Sequence, residues 1–145
     1  MRSSDASALK LQDFNVHVKV KLASLWASLM FCYIYGDYFG LFQPGNLQSM
    51  LNGKMGPLGS TTQSVLLGTA LLMAVPSLMI FLSIVMITKI NRPVNIGLGL
   101  LYASIMAISM PGAWIFYIVL GVIEVALSLA IVWYAWRWPR ESVPD

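Results

Sequence analysis

Four apolar runs, each about as long as a bilayer is thick, fill most of the sequence between Leu22 and Trp136 and decide what the chain can fold into. A hydrocarbon core roughly 30 Å thick takes about 20 apolar helical residues to cross. The runs fall at about 22–42, 63–88, 94–110 and 113–136, separated by a loop at 43–62 and by two short turns. Charged residues make up 10% of the 145, against about 25% in soluble domains, so an ordinary soluble fold is excluded. The expected fold class is an all-α integral membrane protein, one domain built as a four-transmembrane-helix bundle.

The few charges orient it. Arg2, Lys10, Lys19 and Lys21 precede the first run, Lys89 and Arg92 lie between the second and third, and Arg137 and Arg140 follow the fourth. In an up-and-down bundle these eight of nine cations share one side, with Lys54 opposite. Cationic loops stay in the cytoplasm, so both termini are expected there and the 43–62 loop outside. Trp133, Tyr134, Trp136 and Trp138 beside Arg137 and Arg140 mark the same boundary. Spread over segment ends, the cations form no patch for nucleic acid, despite a net charge of +3.

Before the first span, Phe14, Val16, Val18, Val20 and Leu22 alternate with Asn15, His17, Lys19 and Lys21. Period two favours extended backbone. A lone strand lacks a partner, so residues 9–21 are expected at the membrane surface, paired with another chain, or absorbed into the first helix. The following run is too long, and lacks the small-residue cleavage pattern, for a signal peptide. The 43–62 loop is rich in Gly and Pro, with Leu47, Met50 and Leu51 at the spacing of a short interfacial helix.

Small residues at four-residue spacing predict close helix packing: Ser24, Ser28, Cys32 and Gly36 in the first span, Gly99, Ala103 and Ala107 in the third, and Gly121 in the fourth. Each stripe is expected to face the bundle. Pro76, near the middle of the second span, removes an amide and crowds the Leu72 carbonyl, predicting a kink or hinge there unless a neighbour or water satisfies that oxygen. Lys89-Ile90-Asn91-Arg92-Pro93 reads as the turn back into the third span, and Pro111-Gly112 as a tight turn into the fourth.

Chemistry is sparse. Cys32 is the one cysteine and His17 the one histidine, so neither an internal disulfide pair nor an intramembrane histidine pair for haem or metal exists, and no metal site or cofactor is expected. Four acids, Asp5, Asp13, Glu141 and Asp145, lie in the tails, while Asp37 and Glu124 lie inside spans. An acid at the bilayer centre costs about 2.5–3.5 kcal/mol to insert, so such residues face protein or water and usually serve function. Tyr117, Gly121 and Ser128 share a helix face with Glu124, a small and polar stripe on an otherwise aliphatic helix. With no cation at its depth, Glu124 is expected to be protonated, to share a proton with a tyrosine, serine or water, or to meet an incoming cation. Asp37 is placed roughly 8 Å further out, with Tyr33 one turn away and Tyr35 and Tyr38 beside it. Asp37 as a cap or snorkelling acid, its tyrosines as an aromatic belt, and Glu124 as a hydrogen-bonding anchor between helices are the structural alternatives.

The string Tyr35-Gly36-Asp37-Tyr38-Phe39-Gly40, within LASLWASLMFCYIYGDYFGLF and followed by a Gln-Pro-Gly turn, resembles an uncharacterised family of small four-span bacterial proteins. That resemblance implies a bacterial inner-membrane location and brings no activity with it. The layout is similar to DoxX-like four-span proteins in architecture alone.

Three functions are weighed. The preferred one is an oligomeric channel or transporter that moves a proton, cation or small ligand through a polar cavity lined by Asp37, Glu124, Tyr33, Tyr117 and Ser128, a homo-oligomer supplying further walls. A non-catalytic accessory subunit of a larger membrane complex would instead pair Glu124 with a partner's Arg or Lys. A lipid- or quinone-directed enzyme ranks last, for want of a nucleophile motif, metal cluster or phosphate loop.

Overall fold

A computed structural model describes residues 15–139. Of the alternating segment only Phe14 lies outside the described residues, together with the rest of residues 1–14 and the tail charges Arg2, Asp5, Lys10, Asp13, Arg140, Glu141 and Asp145. Those described are helical, with a single isolated bridge, Lys54 to Ser60, in place of any strand. The helices are α1 (Val18–Gly40), α2 (Asn46–Leu51), α3 (Gln63–Val85), α4 (Thr88–Ser109) and α5 (Ile115–Trp136), with one 3-10 turn at Gly56–Leu58. Of these, α1, α3 and α5 are long and apolar enough to cross a membrane.

Helix α1 starts earlier than the apolar run. His17 sits in extended backbone and its Nδ1 accepts from the Lys19 amide at 3.2 Å, an N-cap that draws Val18–Lys21 into the helix. Of the three fates open to the alternating segment, absorption into the helix applies from Val18 onward. At the other end, Asn46 Nδ2 donates to the Gly40 carbonyl at 2.7 Å, so the loop's own short helix satisfies the end of α1. Leu47, Met50 and Leu51 of α2 are exposed, as an interfacial helix requires. Thr62 caps α3 by accepting from the Val65 amide.

The turn between α3 and α4 differs from its sequence reading. Only Met86 and Ile87 lie between the helices, and Lys89 to Pro93 form the first turns of α4. Asn91 and Lys19 explain the tightness. Asn91 Nδ2 donates to the Ser83 carbonyl at 2.6 Å, while Lys19 Nζ reaches the Ile84 and Met86 carbonyls at 3.2 and 2.7 Å. The orphan carbonyls ending α3 are thus held by side chains, and no longer loop is needed to hydrate them. Pro93 costs α4 one hydrogen bond, to Lys89, whose exposed position leaves that carbonyl to water.

The four long helices run up and down in sequence order. α1 packs on α3 and on α5, α5 packs on α4, and α3 and α4 barely meet, leaving one edge of the ring open. Lys19, Lys21, Arg92 and Arg137 gather at one end: Lys21 lies 5.4 Å from the Tyr134 ring, Arg137 4.1 Å from Trp133, and Arg92 donates to the Ala135 and Trp136 carbonyls that end α5.

The hydrophobic core fills the half of the bundle nearest those cations: Val18, Leu22, Trp26 and Leu29 of α1 against Met79, Ile131 and Ala135. Within it lies a buried polar network. Trp26 Nε1 donates to Asn95 Oδ1 at 2.7 Å, and Asn95 Nδ2 donates to both the carbonyl and Oδ1 of Asn91. Trp26, Ser83, Asn91 and Asn95 are all fully buried. Many other large apolar side chains, Phe31, Leu71, Leu78, Phe81, Ile108 and Val122 among them, are exposed, as a protein solvated by acyl chains requires.

Candidate functional site

The open edge between α3 and α4 widens, away from the cationic end, into a cavity of about 360 Å³. All four long helices wall it: Tyr33, Gly36 and Asp37 from α1; Thr69, Leu72 and Met73 from α3; Tyr102, Ile105, Met106 and Ser109 from α4; Tyr117 and Glu124 from α5. Met55, Pro57 and Leu58, on and beside the 3-10 turn, close over it from the loop.

The two intramembrane acids therefore line one space. Asp37 is exposed, near the C-terminal end of α1 and away from the cations, whereas Glu124 is 3% exposed. Helical phase produces that burial. Gly121, Glu124, Ser128, Ile131 and Ala135 recur at three- and four-residue steps and form the inward face of α5. Glu124 Oε2 has no hydrogen-bond partner. A buried polar atom left so costs about 1–3 kcal/mol, more if charged, so its retention calls for something that completes it.

Tyr33 and Tyr117 also face this space, each half-buried. Ser128 does not. It is 1% exposed, its hydroxyl is unpartnered, and it sits one turn deeper where α4 crosses α5: a Cβ on Gly99 would stand 3.0 Å from the Ser128 carbonyl and 2.8 Å from Val132 Cγ2.

Tyr102 went unnoticed in the sequence, yet it organises the site. Pro76 is buried within α3 and denies Leu72 its helical donor; the Tyr102 hydroxyl, reaching over from α4, donates to that carbonyl. The sequence pointed to the freed oxygen but not to its partner. Tyr102 also packs edge-on against Trp26 at 5.9 Å and beside Tyr33 at 6.3 Å, so one aromatic column joins the cavity floor to the asparagine network beneath.

The packing stripes divide. Gly36, Gly99, Ala103 and Gly121 are buried, and a Cβ on Gly121 would fall 2.5 Å from Met106 Cε and 2.8 Å from Met110 Sδ. Ser24, Ser28 and Ala107 are exposed and Cys32 is half-buried, so those four do not pack in the bundle's interior. Ser24 and Ser28 return their hydroxyls to the Val20 and Ser24 carbonyls of their own helix, which leaves little polarity to hide. The inward face of α1 is instead Val18, Leu22, Trp26 and Leu29, larger side chains that fill the core better.

A groove of about 650 Å³ lies at the cationic end, between His17, Lys21, Trp133 and Arg137, and among the described residues no acid lines it. Among the described residues no group of three or more His, Cys, Asp or Glu could hold a metal ion. No curated protein and no solved structure matches the chain. A family model does match it, over residues 9–144, a span that includes every helix and the whole cavity wall, and the chain belongs to the Family of unknown function (DUF6326).

Proposed function

We propose that this protein is a four-span carrier or channel of the bacterial inner membrane, both termini cytoplasmic, that takes a proton, cation or small ligand into the cavity shared by Asp37 and Glu124. The observation that carries this reading is the unpartnered Glu124 Oε2, almost fully buried, in the wall of a cavity with a second acid nearer its outer end. Intramembrane acids that face a cavity mark substrate and proton routes. The string from Tyr35 to Gly40, read above as the family-like motif, contributes Gly36 and Asp37 to that wall.

α4 serves as the fourth span. Its 22 residues rise about 33 Å, enough to cross. Low hydropathy in its first turns reflects Asn91 and Asn95, which face the bundle, and Lys89 and Arg92, which lie at the cationic end. The packed core between cavity and cytoplasm makes transport an alternating process rather than flow through a standing pore, and a homo-oligomer supplies further wall.

The accessory-subunit reading needs a foreign cation to reach Glu124 from outside, and the side chain's inward position favours a small ligand instead. In proteoliposomes, Glu124→Gln is expected to lower flux at least ten-fold while the purified protein remains monodisperse with an unchanged helical spectrum. Full flux in that variant would sink the proposal, and so would a stable foreign protein found in stoichiometric complex by mass measurement after mild extraction.

A further inference from the structure

We infer that the cavity is a site for a primary or secondary amine, held as its ammonium by Glu124, with a compact apolar body against Leu72, Met73 and Met106. This deepens the reading above and rests on it for the site.

The argument begins with where the protons of the wall already go. Tyr102 donates its hydroxyl hydrogen to the Leu72 carbonyl. Thr69 Oγ1 lies 3.0 Å from both the Val65 and Leu66 carbonyls, and Ser109 Oγ 3.1 and 3.0 Å from those of Ile105 and Met106. A hydroxyl has one hydrogen, so toward the cavity these three oxygens can only accept. In the ionised form that a bound ammonium stabilises, the two carboxylates also only accept. Tyr33 and Tyr117 alone keep hydroxyl hydrogens that can turn inward. The wall is thus built to receive donors, and an ammonium is all donors.

The other ligand classes fit worse. A carboxylate or phosphate would meet two acids and few donors. A neutral alcohol could satisfy Oε2 but brings no charge to hold Glu124 in its ionised form in a low-dielectric wall. A quaternary ammonium has the charge but no hydrogen to donate. A dehydrated metal ion favours several charged or strong ligands, and the described residues hold no cluster of three or more His, Cys, Asp or Glu. The volume, about 360 Å³, is at the small end of pockets that enclose organic ligands. Weak contact between α3 and α4 beside Leu72, Met73 and the exposed Ile105 gives such a molecule a lateral way in from the bilayer.

The test is calorimetric titration of the full chain in lipid nanodiscs, empty discs subtracted, with four probes that share a phenethyl body: phenethylamine, its trimethylammonium analogue, 2-phenylethanol and 3-phenylpropanoate. Saturable binding of the amine is expected, with the other three at least ten-fold weaker. Glu124→Gln should weaken the amine at least ten-fold, and Thr69→Phe, which fills the cavity without touching an acid, should do the same. Should Glu124→Gln fail to fold, Thr69→Phe and the order of the four probes still decide. Equal binding of alcohol or carboxylate, saturable binding of none, or amine binding unchanged in folded variants overturns the inference. Amine binding without flux would remove transport and leave the ligand class standing. Flux of protons or sodium that depends on Glu124, with no amine bound, would do the reverse.

Discussion

One carbonyl oxygen shows how the interior is specified residue by residue. Pro76 frees the Leu72 carbonyl, and in a bilayer no water waits to take it. Tyr102 supplies the hydrogen bond from another helix. Tyr102→Phe should therefore cost about 1–3 kcal/mol, the usual cost of leaving a buried acceptor bare, read as a shift in the denaturant midpoint in micelles. In a Pro76→Ala background the restored amide at position 76 can serve Leu72 itself, so the same Tyr102→Phe change should cost under about 1 kcal/mol. Equal costs in the two backgrounds would show that the proline and the tyrosine are not partners. Asn95 makes a second case. Asn95→Leu keeps the forked shape of the side chain but strips the Trp26 indole of its acceptor and Asn91 of its donor, and a loss of about 1–3 kcal/mol is expected in the same assay.

At the scale of helices, the α4–α5 contact is set by glycine. Gly99 and Gly97 lie two residues apart on one helix, yet a Cβ at Gly99 would press on Val132 and the Ser128 backbone, while one at Gly97 would meet nothing within 4 Å. Gly99→Ala is expected to destabilise by about 1–3 kcal/mol through overpacking. Gly97→Ala should be neutral or stabilising by up to about 1 kcal/mol, since alanine is the better helix former. The reverse order would mean that α4 and α5 do not meet as described. This contact was legible in the sequence because Gly99 and Ala103 repeat at four residues and Gly121 shares a face with Glu124. The serine stripe of α1 misled because spacing says which residues share a face, not which way that face points; serine can satisfy its hydroxyl on its own backbone and stand in lipid. Asn91 was hidden for a related reason. Lys-Ile-Asn-Arg-Pro carries every local sign of a turn, and it is the pairing of the Asn91 side chain with the Ser83 carbonyl of α3 and with Asn95 one turn along α4 that favours helix there. The acids were visible as misfits in an apolar sequence. Tyr102 was not, since a tyrosine in a membrane span is unremarkable until its partner is known.

For the whole molecule, what matters is how charge and cavity divide it end from end. The cations that tie off α3 and α5 stand at one end, next to the filled core, and the cavity with its two acids lies toward the other. In the proposed orientation, with the cationic end in the cytoplasm as the positive-inside rule expects, the cavity belongs to the outer half of the membrane. That orientation can be read with single cysteines. In a Cys32→Ser background, Asn52→Cys in the outer loop and Pro111→Cys in the α4–α5 turn should both react with a membrane-impermeant maleimide in intact cells, whereas Lys89→Cys should react only after permeabilisation. All three positions are exposed, so access rather than burial governs the result. Position 111 is decisive for α4. If that helix crosses the bilayer, residue 111 emerges on the same side as residue 52, about 33 Å from residue 89. If α4 instead lies along the cytoplasmic surface, residue 111 stays with residue 89 and remains protected in intact cells. The cavity would then lose its α4 wall within the membrane, the Tyr102 hydroxyl would have no membrane-buried carbonyl to reach, and Glu124 would face lipid. A protected Pro111→Cys would therefore refute the fourth span and the site together.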